Sequence, residues 1–167
     1  MSQPPPKPPK RSTDAKSARI QRLRSLTHIL DNAIAIPGTS YRVGIDPLLG
    51  LLPGGGDILG SALSGYIVLE AALLGLPREA LVRMVLNILF ETLVGTVPLL
   101  GDFFDATWKA NAKNMVLLEA HLASPRQSQR ADWWFIILLL GGLMLFVIGI
   151  AALSIFILNL VWQAIRN

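Results

Sequence analysis

From Trp133 to Trp162 the chain runs thirty residues without a charge, "WWFIILLLGGLMLFVIGIAALSIFILNLVW". As a helix this run extends about 45 Å at ~1.5 Å per residue. A bilayer with its interfaces is about 40–45 Å thick. Tryptophans stand at both ends, Trp133 and Trp134 at one and Trp162 at the other, where interfacial aromatic belts form. A chain of 167 residues is too small to bury such a helix on every side. The run therefore reads as a transmembrane helix over 132–163, with a tail at 164–167. Arg126 and Arg130 precede it and only Arg166 follows. The positive-inside rule then places the preceding body in the cytoplasm and the C-terminus outside.

The rest of the composition agrees with a membrane setting. Charged residues make up 16% of the chain, against about 25% in ordinary soluble domains. There is no cysteine, so disulfides, iron–sulfur clusters and thiolate zinc sites are excluded. Charge is unevenly spread. Residues 1–42 hold eight of the fifteen Lys/Arg but two of the eleven acids, Asp14 and Asp31. Such a basic arm suits anionic lipid at a membrane surface. It has no aromatic residue before Tyr41 to stack on bases, so no nucleic-acid partner is expected. It is not a secretory signal, because no apolar segment follows its charges.

Residues 1–14, opening "MSQPPPKPPK", form a Pro-rich tail unable to pack a core. The spacing of Ile20, Leu23, Leu26/Thr27, Leu30 and Ile34 predicts a first amphipathic helix over about 15–35, ended by Pro37-Gly38. A basic helix of this kind fits a membrane surface or the outside of a bundle. A second, nearly all-apolar helix follows Asp57, with Glu70 as its only interior charge. Its small residues, Gly60/Ser64 and Ser61/Gly65, permit close helix–helix approach. A third helix opens at Pro77 or Arg78 and closes at Gly95. It places Glu79, Arg83, Asn87 and Glu91 at successive i+4 positions, one polar line facing water or another helix's polar groups. Pairing of Arg83 with Glu79 and Glu91 is expected along it. A fourth helix is predicted over about 102–122, with Phe104, Trp108, Met115, Leu118 and Leu122 on its apolar face and Asn111 among them. Residues 15–123 thus form a helical domain, and 124–131 a polar linker.

One phrase occurs twice. "DPLLGLLPGGGD" (46–57) and "ETLVGTVPLLGD" (91–102) align at an offset of 45 residues. Asp46 matches Glu91, Gly50 matches Gly95, and Pro53 matches Pro98. Gly56 matches Gly101, and Asp57 matches Asp102. Gly50 and Gly95 suit a left-handed helix end. Pro53 and Pro98 stop the helix from resuming. Asp57 and Asp102 suit the N-cap of the next helix, a cap worth about 1 kcal/mol. The phrase is an apolar corner between helices, which predicts two helix–corner–helix repeats. A second reading makes Asp46, Asp57, Glu91, Asp102 and Asp105 a cation or proton site at broken helix ends. A phosphate cradle at Gly54-Gly55-Gly56 is disfavoured, because no Lys-Ser/Thr follows and Asp57 repels phosphate. His28 and His121 lie in no catalytic or zinc-binding spacing, so no catalytic residue or cofactor is expected.

The order Ile36-Pro37-Gly38, Gly44-Ile45-Asp46-Pro47, Gly50-Leu51-Leu52-Pro53, Gly56-Asp57, Pro98-Leu99-Leu100-Gly101-Asp102, Phe104-Asp105 resembles the bacterial domain-of-unknown-function family 4112, over about residues 29–119. The resemblance implies a compact helical domain in a membrane-associated protein, and no activity. Glu91 stands where the pattern leads one to expect Asp, which keeps the charge but lengthens the arm.

The expected fold is all-α: a four-helix domain from two helix–corner–helix repeats, followed by a C-terminal transmembrane helix. The second and third helices entering the bilayer as a hairpin is the polytopic variant. The expected role is a non-enzymatic, membrane-anchored interaction or scaffold module in the bacterial inner membrane. Its expected contacts are the bilayer, anionic lipid at the basic arm, and a second copy or protein partner. The alternative is a small channel, transporter or cation-binding protein built on the acidic corners.

Overall fold

The computed structural model describes residues 10–35, 37–38, 42–45, 56–95, 108–124 and 131–166. Helix α1 spans Lys10–Asn32. It begins directly after the last proline of the tail, earlier than the hydrophobic spacing predicts, because nothing after Pro9 opposes helix. Its stripe is the expected one as far as Leu30: Leu23, Thr27 and Leu30 are buried and Ile20 and Leu26 pack against the core, whereas Ile34 lies beyond the helix end and is exposed.

The helix stops at Asn32, five residues short of Pro37. Ile34–Ala35 (β1) and Arg42–Val43 (β2) instead make a minimal antiparallel ladder, with Ile34 opposite Val43. Pro37 and Gly38 lie in the turn of this hairpin, Gly38 with φ +81°, rather than at the helix end. The hairpin folds back onto α1. The Ile45 N–H donates to the Ile29 carbonyl at 3.1 Å, satisfying one of the acceptors that a helix C-terminus leaves open. Gly44 makes this approach possible, since a Cβ there would fall on the Leu30 carbonyl.

Helix α2 spans Gly56–Leu73 and α3 spans Arg78–Gly95. The turn between them is a Schellman ending: the Leu76 N–H reaches the Ala71 carbonyl and the Gly75 N–H reaches that of Ala72. Gly75 takes φ +94°, and Leu76 is buried beneath the turn. The Pro77 carbonyl then accepts the first bond of α3, from Leu81. Leu81, Met84, Val85 and Ile88 make the buried stripe of α3.

Helix α4 covers Ala110–Ala123, and α5 covers Trp133–Arg166. A continuous helix from Asp102 is not formed. Lys109 is extended (φ −112°, ψ 91°), so α4 begins eight residues later than predicted and Asp102 is not its cap. The Asp132 carboxylate caps α5, accepting the Phe135 N–H at 2.8 Å. Asp132 also pairs with Arg78 at 2.6 Å, and the Arg78 guanidinium lies over the Phe135 ring. These contacts set the starts of α3 and α5 side by side.

Among the described residues the regular structure is all helix apart from the small ladder. α5 packs chiefly on α2 and also on α3, while α4 packs on α3 and α1. Gly65 of α2 faces Leu140 and Leu143 of α5, so the small residues of α2 do admit a close neighbour. The core joins Leu23 and Leu30 of α1, Ile67 and Val68 of α2, the α3 stripe, Leu118 of α4, and Leu143 and Val147 of α5. Among the described residues, α5 alone is long and apolar enough to cross a membrane, with mean hydropathy 2.9. Its buried residues, Ile136, Leu143, Val147 and Ala151, all lie in its first nineteen. Every described residue after Ala151 is exposed.

Two outcomes follow. Gly44→Ala should lower stability by about 1–3 kcal/mol, the usual cost of forcing atoms into filled space, visible as a lower Tm. A fragment of residues 1–130 should melt with poor cooperativity and bind a hydrophobic dye. It loses Leu143 and Val147 from the core, each worth about 1.5–3 kcal/mol when fully buried.

Candidate functional site

The start of α4 is where the polar chemistry of the body concentrates. Lys109 occupies its N-cap position and makes no side-chain cap. The first-turn N–H groups, which have no partners inside the helix, are answered from other helices. Glu91 of α3 accepts the Ala110 N–H at 3.1 Å. Asp31 of α1 accepts the Ala112 N–H at 2.7 Å and the Asn111 side-chain amide at 2.9 Å. Two carboxylates thus sit at the positive end of the α4 dipole, a favourable placement.

Lys109 extends the same cluster. Its ammonium donates to the Asn32 side chain and, at 2.9 Å, to the Arg42 carbonyl of the hairpin. The end of α1, the hairpin, the end of α3 and the start of α4 are thereby tied at one point. Asp31 is 6% exposed. Burial raises its carboxyl above the ordinary aspartate range; the Asn111 amide, the Ala112 N–H and the Lys109 charge oppose this without cancelling it.

One turn further along α4, Asn114 is fully buried. It donates to the Met84 carbonyl at 3.1 Å and accepts from Asn87 at 2.8 Å. The expected polar line of α3 therefore divides. Asn87 and Glu91 face polar groups of α4, whereas Glu79 and Arg83 are exposed. Beside it runs an open groove of about 420 Å³, floored by Leu86, Val116 and Leu117, with Arg83 and Lys113 among its lining residues. The Lys113 ammonium lies over the Trp108 ring, which meets Phe90 edge-on at 4.7 Å. Desolvation lowers the Lys113 ammonium below the ordinary lysine range, against the pull of Glu91. Arg19–Glu70 joins α1 to α2 and Arg24–Glu119 joins α1 to α4, each at 2.6 Å.

Of the residues singled out in the doubled phrase, Glu91 lies in this cluster. Gly95 is the last helical residue of α3. Gly56 opens α2, which puts Asp57 inside its first turn, two positions past the cap position expected for it. Asp46, Gly50, Pro53, Pro98, Gly101, Asp102 and Asp105 lie outside the described residues. Sequence reasoning missed Asp31, Asn114 and Asn32. A signal was present: Asn111 and Asn114, three apart on an otherwise apolar face, require buried partners.

These contacts define a class of protein: a helical bundle in which one helix is capped by carboxylates from two others, joined to a long apolar helix. The family model described as "Domain of unknown function (DUF4112)" matches residues 19–122, and the chain belongs to that family. The match contains Asp31, Glu91 and the start of α4, and ends before α5. No curated protein and no solved structure matches the chain.

Asp31→Asn should cost about 1–3 kcal/mol, because the new amide opposes a donor that its partner helix already presents. Its removal should also change the pH profile. A carboxyl raised on folding binds its proton more tightly in the native state, so its contribution to stability falls as pH rises from the ordinary aspartate value through the raised one. That slope should be absent from Asp31→Asn in denaturant melts across the acid range.

Proposed function

We propose that this protein is a non-enzymatic, membrane-anchored interaction or scaffold module: a helical body held at a bilayer by α5. The observation that carries the reading is the run of α5 beyond Ala151. There the helix leaves the bundle with all sides exposed and carries no charge until Arg166. Exposed Ile155, Phe156, Ile157 and Leu158 suit lipid and not water. Arg22 and Arg24 of α1 are exposed.

Within this reading the body is two helix–corner–helix units, α1–α2 and α3–α4. The ends of α1 and α3 meeting the start of α4 support that pairing. The carboxylates of Asp31 and Glu91 serve as helix caps, which favours a structural use of the acidic corners over an ion pathway. The basic arm contacts anionic lipid, the body stands on the cytoplasmic side of a bacterial inner membrane, and a second copy or another protein, not nucleic acid, docks on it.

In membranes from cells expressing the full chain, the protein should stay in the pellet after an alkaline wash and be released only by detergent. Reconstituted in vesicles, it should pass no protons or monovalent cations. Release by alkali would remove the anchor, and flux abolished by Asp57→Asn would replace the scaffold with a pathway.

A further inference from the structure

We infer that α5 does not enter the bilayer alone: the outer face of α2 and the second half of α3 are lipid-facing with it, and the hydrocarbon boundary crosses the bundle near Tyr66, Leu86 and Gly142. This rests on the proposal that α5 crosses a membrane, and it adds which part of the body is embedded.

The free part of α5 is residues 152–166, about 22 Å of helix at ~1.5 Å per residue. The hydrocarbon core of a bilayer is about 30 Å and takes roughly 20 helical residues. A span that ends at Trp162 must then start near residue 142, about ten residues before α5 becomes free. At that level α5 is still packed against α2, where Gly65 meets Leu140 and Leu143. If α5 spans the bilayer, α2 goes with it.

The outer surface of α3 changes character at the same height, and α2 carries an exposed tyrosine there. On α2, which runs antiparallel to α5, the residue next to Gly65 is Tyr66, 47% exposed. A phenol with an apolar body and a polar tip suits a lipid–water interface. Beyond it, toward the start of α2, the outer positions are Ala62 and Leu59, the latter 52% exposed. On α3, which runs parallel to α5 from the Arg78–Asp132 pair, the exposed residues are Glu79 and Arg83, then Leu86 and Leu93, with Phe90 between them meeting Trp108 on the α4 side, where the Lys113 ammonium lies. Counted from that pair, the change from charge to hydrocarbon falls between the levels of residues 137 and 140 of α5. The step on α3 and the tyrosine on α2 fall at the height that length gives for α5. α1 keeps polar groups on its outer side, with Arg22, Arg24 and His28 exposed and Arg24 paired to Glu119 of α4, so that side stays in water and the boundary is oblique.

The absence of cysteine makes the test direct. Single cysteines replacing Leu59, Leu93, Glu79 and Leu153 are spin-labelled in the full chain, reconstituted in vesicles of phosphatidylethanolamine and phosphatidylglycerol. Collision rates with oxygen, which dissolves in lipid, are compared with those of a water-soluble nickel chelate. All four sites are exposed, so the labels leave the core intact; helicity by circular dichroism checks this. The inference expects oxygen to exceed nickel several-fold at 59, 93 and 153, and nickel to dominate at 79. Nickel access at 59 and 93 with oxygen access at 153 overturns it while leaving α5 as an anchor. Low access of both probes at 59 and 93 also overturns it, and means that a second copy covers this face. Nickel access at 153 removes the membrane span itself.

Discussion

A helix that starts without a side-chain cap leaves N–H groups that something else must satisfy, and in this protein the supply comes from across the bundle. α4 begins on an extended lysine, and the carboxylates of Asp31 and Glu91 reach its first turn from α1 and α3. Because each acceptor belongs to a different helix, the α4 start can be satisfied only when α1, α3 and α4 are all in place. The hairpin after α1 is drawn into the same arrangement by Lys109 and by the Ile45–Ile29 bond. Burying Asp31 is costly for a carboxylate; its hydrogen bonds and the Lys109 charge offset part of that cost.

The other organising contact is apolar. α2 and α3 present a groove that α5 fills with one stripe, Ile136, Leu143, Val147 and Ala151. This joins the body rigidly to the helix proposed as its anchor, rather than through a loose tether. The family match ends at Leu122, yet the core of the matched region is completed by residues from α5. An interaction module built in this way would hold a defined orientation to the bilayer. That is the mechanical property a membrane scaffold requires.

Much of the helical layout was legible from local rules. The α1 stripe, the break at Gly75-Pro77, the end of α3 at Gly95 and the length of α5 follow from periodicity and from glycine and proline chemistry. The start of α4 was not legible. The stripe Phe104, Trp108, Met115 continues the helical period through Lys109, and only the backbone shows the break. Pro37 was misleading in a similar way. It marks a turn, but that turn belongs to the hairpin, because α1 had already stopped where Gly44 could pack against its last carbonyls.

Amino-acid order by itself determined that the chain is helical, that its last thirty-odd residues form one helix long and apolar enough to cross a membrane, and that Glu79, Arg83, Asn87 and Glu91 lie on one line of α3. These are properties of spacing and composition, which act over a few residues. Tertiary structure alone decided what that line does: Glu79 and Arg83 meet solvent, while Asn87 and Glu91 meet α4. It also decided that Asp31, one acid at the end of a basic helix, becomes a buried cap for a helix eighty residues away. Neither role could be read from the chain, because a hydrogen bond depends on where two helices meet and not on how far apart their residues are numbered.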